Sequence, residues 1–125
     1  MLDLERLIVQ PEGQYVDRKS LWHGASGRKS PRDRRQVRDH IAEYVAAFAN
    51  ADGGVLILGV EDDGTPSGHG YPPDAIDQML ATPEQRLKPS QARGLEVDWQ
   101  GHRLLVFVRQ AWRAAADWRE WFRRA

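Results

Sequence analysis

The sequence predicts an α+β fold of the mixed α/β kind: a single compact domain with a central mixed sheet, a βαβ-like core, a C-terminal hairpin and flanking helices. Three observations lead there. A stripe of apolar residues at helical spacing runs into Gly53-Gly54 and then into a continuous apolar run, Val55 to Val60. Two further apolar segments, Leu95 to Trp99 and Leu104 to Val108, flank Gln100-Gly101. The chain has 125 residues, room for one modest core and too little for a second independent one.

Taken in order, Leu2, Leu4, Leu7 and Ile8 predict a short N-terminal helix ended by Pro11-Glu12-Gly13. Gln14 to Leu21 alternates in part and reads as a strand, whereas Trp22 to Ser30, with its glycines and serines, reads as a flexible loop. Ser30 followed by Pro31 fits an N-cap with proline at the first helical position, and Asp33 suits the positive end of that helix. Val37, Ile41, Tyr44 or Val45, and Phe48 then recur at spacings of three and four, an apolar stripe on about five turns of helix. Arg35 and Arg38 fall off the stripe toward solvent, and Arg34 lies near its edge. Val55 to Val60 is apolar throughout, as a strand covered on both faces must be. Asp62-Asp63-Gly64 signals a turn.

Pro72-Pro73 open a second helix through Ile76, Met79 and Leu80, with Asp74 in its first turn. Leu95 to Trp99 alternates cleanly, Leu104 to Val108 is apolar, and Gln100-Gly101 joins them as an antiparallel hairpin. Residues 1–110 form the expected domain. Residues 111–125, with Trp112, Ala115, Trp118 and Phe122 at helical spacing, form an amphipathic helix packed on the same domain or on a second subunit.

An apolar share of 41%, a charged share of 29% and a mean hydropathy of −0.65 exclude a membrane-spanning apolar segment. The N-terminus lacks the apolar core of a signal peptide and there is no cysteine, so the expected location is cytoplasmic. The formal net charge of zero conceals an asymmetry. Residues 18 to 38 carry eight Lys and Arg against one acid, Asp33, whereas residues 39 to 85 carry no Lys or Arg and nine acids. A segment so basic attracts phosphates whatever the total charge; its alternative is a solvated, self-repelling loop.

Nucleotide hydrolysis has little to stand on. Aligning Lys29-Ser30 with the end of a Walker phosphate loop puts His23 and Arg28 where the two glycines belong. The four histidines are scattered, and nucleophilic acyl chemistry has no cysteine and no serine elbow. Carboxylates are better placed. Glu12 and Asp17 surround the start of the first strand, and Glu61, Asp62 and Asp63 follow the second; acids brought together from two strands can hold Mg²⁺ or Mn²⁺ and activate water, with Lys19 steadying the charge. Out of context, Asp62-Asp63-Gly64 is an ordinary turn.

The order Glu12, then Asp17-Arg18-Lys19, then Tyr44-Val45-Ala46-Ala47-Phe48-Ala49-Asn50-Ala51-Asp52-Gly53-Gly54, then Val55 through Glu61-Asp62-Asp63-Gly64 resembles the AlbA-like domain of the Schlafen family. The family pattern is a glutamate, Glu-Phe-Lys, a helix ending in Ala-Phe-Ala-Asn-Thr-x-Gly-Gly, and a strand into Gly-Val-Asp/Glu-Asp. The resemblance spans about residues 12 to 70; residues 71 to 109 fit more loosely, and the Trp-rich tail matches nothing in the pattern. It implies a nucleic-acid-binding module of the kind found in bacterial transcriptional regulators. From some animal members it implies a metal-dependent endoribonuclease site, falling here on Glu12, Asp17 and the Glu61-Asp62 pair. Asp17 stands where the family has glutamate, Arg18 where it has an aromatic, and Glu61 where it has aspartate. The swaps keep the charges, but Asp17 is one methylene shorter.

Three readings follow. In the leading one, Arg18, Lys19, Arg28, Lys29, Arg32, Arg34, Arg35 and Arg38 bind the phosphates of DNA or RNA, with no cofactor required and low base specificity. In the second, Glu12, Asp17, Lys19 and Glu61 catalyse phosphodiester cleavage, with Glu12, Asp17, Glu61 and Asp62 holding Mg²⁺ or Mn²⁺. In the third, the chain is a self-associating module, and its Trp-rich tail forms a homodimer.

Overall fold

The structure, a computed structural model, describes residues 16–24, 30–49, 53–87 and 92–109. The expected N-terminal and C-terminal helices, Glu12, Arg28 and Lys29 lie outside these residues. The elements are β1 (Val16–Lys19), β2 (Trp22–His23), β3 (Ser30–Pro31), α1 (Arg34–Ala49), β4 (Gly54–Leu58), α2 (Pro73–Arg86), β5 (Ala92–Trp99) and β6 (His102–Arg109). Four strands form a mixed sheet in the order β1-β4-β6-β5, and β2 and β3 form a small second ribbon. The predicted α+β fold is present, with β1-α1-β4 as its βαβ core and β5-β6 as its hairpin.

β1 runs parallel to β4, with Asp17 level with Leu56 and Lys19 level with Leu58. β6 pairs antiparallel with both β4 and β5. Because side chains alternate across a strand, the central β4 is buried twice over. Leu56 and Leu58 join Leu105 and Phe107 under the helices, where Val37, Ile41, Val45, Phe48, Ile76 and Met79 meet them. Val55 and Ile57 join Val106 and Val108 on the other face. The helical stripe therefore runs through Val45, and Tyr44 turns aside, only partly buried.

Two glycines mark where the chain turns. A Cβ at Gly54 would sit 2.4 Å from the Phe48 ring, so the close seat of α1 on β4 depends on its absence. Gly59 has φ 101°, which favours glycine, and here β4 ends two residues earlier than the apolar run suggests. Val60 leaves the strand to bridge Pro66. The hairpin turn places Gln100 at φ 52° and Gly101 at φ 80°, the paired positive values of a tight turn matched to strand twist.

Two expectations need correction. Trp22-His23 and Ser30-Pro31 are not loop and helix start but a paired ribbon, Trp22 opposite Pro31 and His23 opposite Ser30. Helix α1 is capped by Asp33, whose Oδ1 accepts the Arg35 N–H at 3.2 Å and whose carbonyl accepts the Val37 N–H at 3.0 Å; aspartate caps as well as serine, and pairing with β2 removes Ser30 from contention. Helix α2 continues past Leu80 to Arg86 through an internal Pro83, and the buried Thr82 returns its hydroxyl to the Gln78 carbonyl at 2.9 Å. Among the described residues no helix is long and apolar enough to cross a membrane.

Candidate functional site

Helix α2 crosses the first turns of α1, and the long side chains of α1 reach its whole length. Arg34 bonds Asp74 in the first turn of α2 at 3.4 Å. Arg38 donates from Nε to the Thr82 hydroxyl at 3.3 Å and from Nη2 to Gln85 at 2.9 Å. Asp39 pairs with Arg86 in the last turn, and that guanidinium holds its carboxyl below the usual aspartate range. Arg38 is therefore a bracket between helices as well as a surface cation, which periodicity alone placed in solvent.

This crossing leaves a groove of about 620 Å³ lined by Arg32, Arg34, Arg35, Arg38 and Arg86, with Asp33 as the single acid among the described residues. The Asp33 carboxylate is engaged in capping. The guanidinium Nε of Arg32 is buried with no hydrogen-bond partner, and the Arg35 side chain makes no hydrogen bond or ion pair among the described residues. A buried, unpaired guanidinium nitrogen is costly unless an acceptor arrives. Tyr71 also lines the groove, and its hydroxyl donates to the Arg32 carbonyl at 2.6 Å. Burial raises the Tyr71 phenol above its ordinary value.

Tyr71 is itself held. Its N–H donates to His69 Nδ1 at 3.2 Å, and His69 Nε2 lies 2.7 Å from Glu96 Oε2. A ring nitrogen that accepts carries no proton, so the neutral tautomer with hydrogen on Nε2 donates to Glu96. Both ring nitrogens are committed to protein partners.

A second polar cluster lies on the helix-facing side of β1. Asp17 Oδ1 accepts the Arg18 N–H at 3.0 Å, while Oδ2 is buried with no hydrogen-bond partner among the described residues. The Lys19 ammonium lies 5.4 Å from the centroid of the Tyr44 ring; the nearby Tyr44 hydroxyl raises the lysine above its usual value, against the lowering effect of burial. Burial first, and then the Asp17 carboxylate, raise the Tyr44 phenol. Arg18 points to the other face and is only 6% exposed, apart from the groove cations.

The acidic turn is internally bonded. Glu61 Oε2 accepts the Ser67 hydroxyl at 2.6 Å, its N–H donates to the Thr65 carbonyl at 2.9 Å, and its carbonyl accepts the Gly64 N–H at 2.9 Å. Asp63 Oδ1 accepts the Thr65 N–H at 2.9 Å, and its interactions with the Thr65 side chain and backbone lower its carboxyl from the usual range. Asp62 is exposed.

The Schlafen AlbA_2 family model matches residues 12–113. The chain belongs to the Schlafen AlbA_2 family. No curated protein matches it. Among solved structures it is similar to the crystal structure of the DIP2311 protein from Corynebacterium diphtheriae, at 24% identity and a TM-score of 0.57, over 86% of this chain and 24% of that one. That likeness is one of fold, and this chain spans about a quarter of the length of the protein it resembles.

On this Schlafen AlbA_2 domain the sequence-derived cations Arg32, Arg34, Arg35 and Arg38 come together in one groove. The carboxylates are more dispersed. β1 puts Asp17 level with Leu56, and it is the Lys19 carbonyl that accepts the Gly59 N–H at 2.8 Å as the chain leaves β4. Among the described residues no three His, Asp or Glu side chains gather at a point; Glu12 lies outside them. Sequence reasoning missed Arg86 and Tyr71. Arg86 is a basic residue in the last turn of α2, an ordinary match to the helix dipole, and Tyr71 had no periodic pattern to single it out.

Proposed function

We propose that this domain binds nucleic acid, DNA or RNA, by its phosphates, seated in the groove at the start of α1. The observation that supports the reading is the convergence of Arg32, Arg34, Arg35, Arg38 and Arg86 on one concave surface with Arg32 Nε buried and unpaired. Guanidinium is the side chain best suited to phosphate, since its fork donates two parallel hydrogen bonds to two oxygens. The first-turn N–H groups of α1 add to the positive potential. Contacts of this kind position a strand and carry no base information, so sequence preference is weak. Family membership agrees with the resemblance already read in the sequence, which implies nucleic-acid binding and a role in transcriptional regulation. The test is the salt slope of binding to duplex DNA, duplex RNA and single strands. Binding at low salt that weakens linearly in log–log form is the expected result; no binding of any of these at low salt rejects the reading.

The second reading, metal-dependent phosphodiester cleavage, has one observation of its own: the buried, unpartnered Oδ2 of Asp17 beside Lys19 and Tyr44. Hard carboxylate oxygens suit Mg²⁺ or Mn²⁺, which would supply an activated water. The fit is partial, since Ser67 already occupies Glu61 Oε2. In this reading Asp17, Glu61, Asp62 and Glu12 hold the ion and Lys19 steadies the phosphate charge. It requires Mn²⁺-stimulated cleavage that Asp17→Asn abolishes.

A further inference from the structure

We propose that the arginine groove seats a terminal phosphate, the phosphomonoester at the end of a nucleic-acid strand, and is not one stretch of a track for internal phosphodiesters. The inference rests on the nucleic-acid reading above and names the part of the nucleic acid that this groove selects.

The first argument is the shape of the charge. A continuous strand offers one charge per about 3.4 Å of duplex axis, and a surface that follows it needs cations spaced along its length. Among the described residues the cations are concentrated. No Lys or Arg occurs from residue 39 to residue 85, and the exposed faces of both helices beyond the groove carry Asp39, Glu43, Asp74, Asp77 and Glu84. Among the cations elsewhere on the described surface, Arg93 pairs with Glu84 and Arg103 with Glu96. Along the described faces of the two helices, a strand running through the groove would pass from arginines onto carboxylates. A strand that ends there would not.

The second argument is charge matching. Near neutral pH a phosphomonoester carries about −1.5 to −2, because its second pKa is near 6, and it presents three acceptor oxygens. An internal diester carries a single charge. Guanidiniums converging from the β3–α1 junction, from α1 and from α2 gain most from the ligand with the greatest charge and the most oxygens at one point. Arg32 and Arg35 are the two available to it. Arg34 and Arg86 are held at the rim by Asp74 and Asp39, and Arg38 is set by Thr82 and Gln85.

The third argument is size. A groove of about 620 Å³ falls in the range that houses a small ligand, room enough for a terminal nucleotide with its phosphate. Pro31 and Pro72 give this groove an apolar lip on which a sugar can rest.

The experiment compares one single-stranded oligonucleotide sequence in three forms, with a 5′-phosphate, a 3′-phosphate or hydroxyls at both ends, by fluorescence anisotropy with an internal label. One phosphorylated form is expected to bind at least about tenfold more tightly than the hydroxyl-ended strand, which identifies the end recognised, and a mononucleotide bearing the same phosphate displaces it. Arg32→Ala with Arg35→Ala is expected to abolish the preference. Asp39→Asn with Asp74→Asn, which frees Arg34 and Arg86 and removes the acidic rim, is expected to raise affinity for the hydroxyl-ended strand and narrow the gap. Equal, salt-sensitive affinity for all three forms overturns the terminal-phosphate proposal and leaves the nucleic-acid reading standing. Binding of none at low salt overturns both.

Discussion

The two ends of the β1-α1-β4 unit use their charges in opposite ways. At the start of α1, five arginines surround a groove; among the described residues, Arg32 Nε has no hydrogen-bond partner and the Arg35 side chain makes no hydrogen bond or ion pair. After β4, two of the three acids are engaged locally, Glu61 on Ser67 and Asp63 on Thr65, while Asp62 is exposed. Both segments are conspicuous charge runs in the sequence, and only their hydrogen bonding separates them. Charge that is already satisfied stabilises a turn; charge that is left over attracts a ligand.

The largest effect that would sharpen this contrast is on binding. Arg32→Ala with Arg35→Ala is expected to weaken oligonucleotide affinity at low salt by about a hundredfold and to lower the salt slope by roughly 2. Glu61→Gln with Asp62→Asn should change affinity by less than about threefold, and a large gain or loss there would break the contrast.

Next comes the unit that carries both ends. Gly54→Ala drives a methyl to 2.4 Å from the Phe48 ring and is expected to cost about 2 kcal/mol, read as a lower denaturation midpoint at unchanged m-value. Ser67→Ala removes the donor to Glu61 and should cost about 1 kcal/mol with no loss of oligonucleotide binding.

The smallest effects are in titration, and the two ends titrate oppositely. The Tyr71 phenol, raised by burial, favours the folded state fully below the unfolded tyrosine pKa of about 10, and that contribution is lost as pH rises through the folded value. The Asp63 carboxyl, lowered by Thr65, contributes above the unfolded aspartate pKa of about 3.9 and is lost as pH falls through the folded value. Phenolate absorbance of the folded and denatured chain, and carboxyl chemical shifts in acid, check the two signs.

Much of this was legible in the sequence because it is local. The stripe Val37, Ile41, Phe48, the run from Val55 and the Gln100-Gly101 turn each state their own periodicity or turn chemistry, and the sheet and its hairpin follow. What was not legible depends on residues far apart in the chain. Ser30-Pro31 carries a valid helix-start signal, and only pairing with Trp22-His23 overrides it. Arg38 lies off the apolar stripe, yet its partners Thr82 and Gln85 are more than 40 residues away. The groove needed Arg86 and Tyr71, brought in by the crossing of α2 and by the His69-Glu96 pair. No spacing rule reports such neighbours. Helix periodicity placed the basic residues on a surface; tertiary packing determined which of them remained available.

The most direct test of the central claim is an amide chemical-shift titration of the whole chain with a short phosphorylated oligonucleotide. Saturable shifts concentrated at Arg32 to Arg38, Gly70-Tyr71 and Arg86, with Glu61 to Ser67 unmoved, are the predicted result. Shifts concentrated at Asp17 and Glu61 to Gly64, with the start of α1 silent, would contradict it.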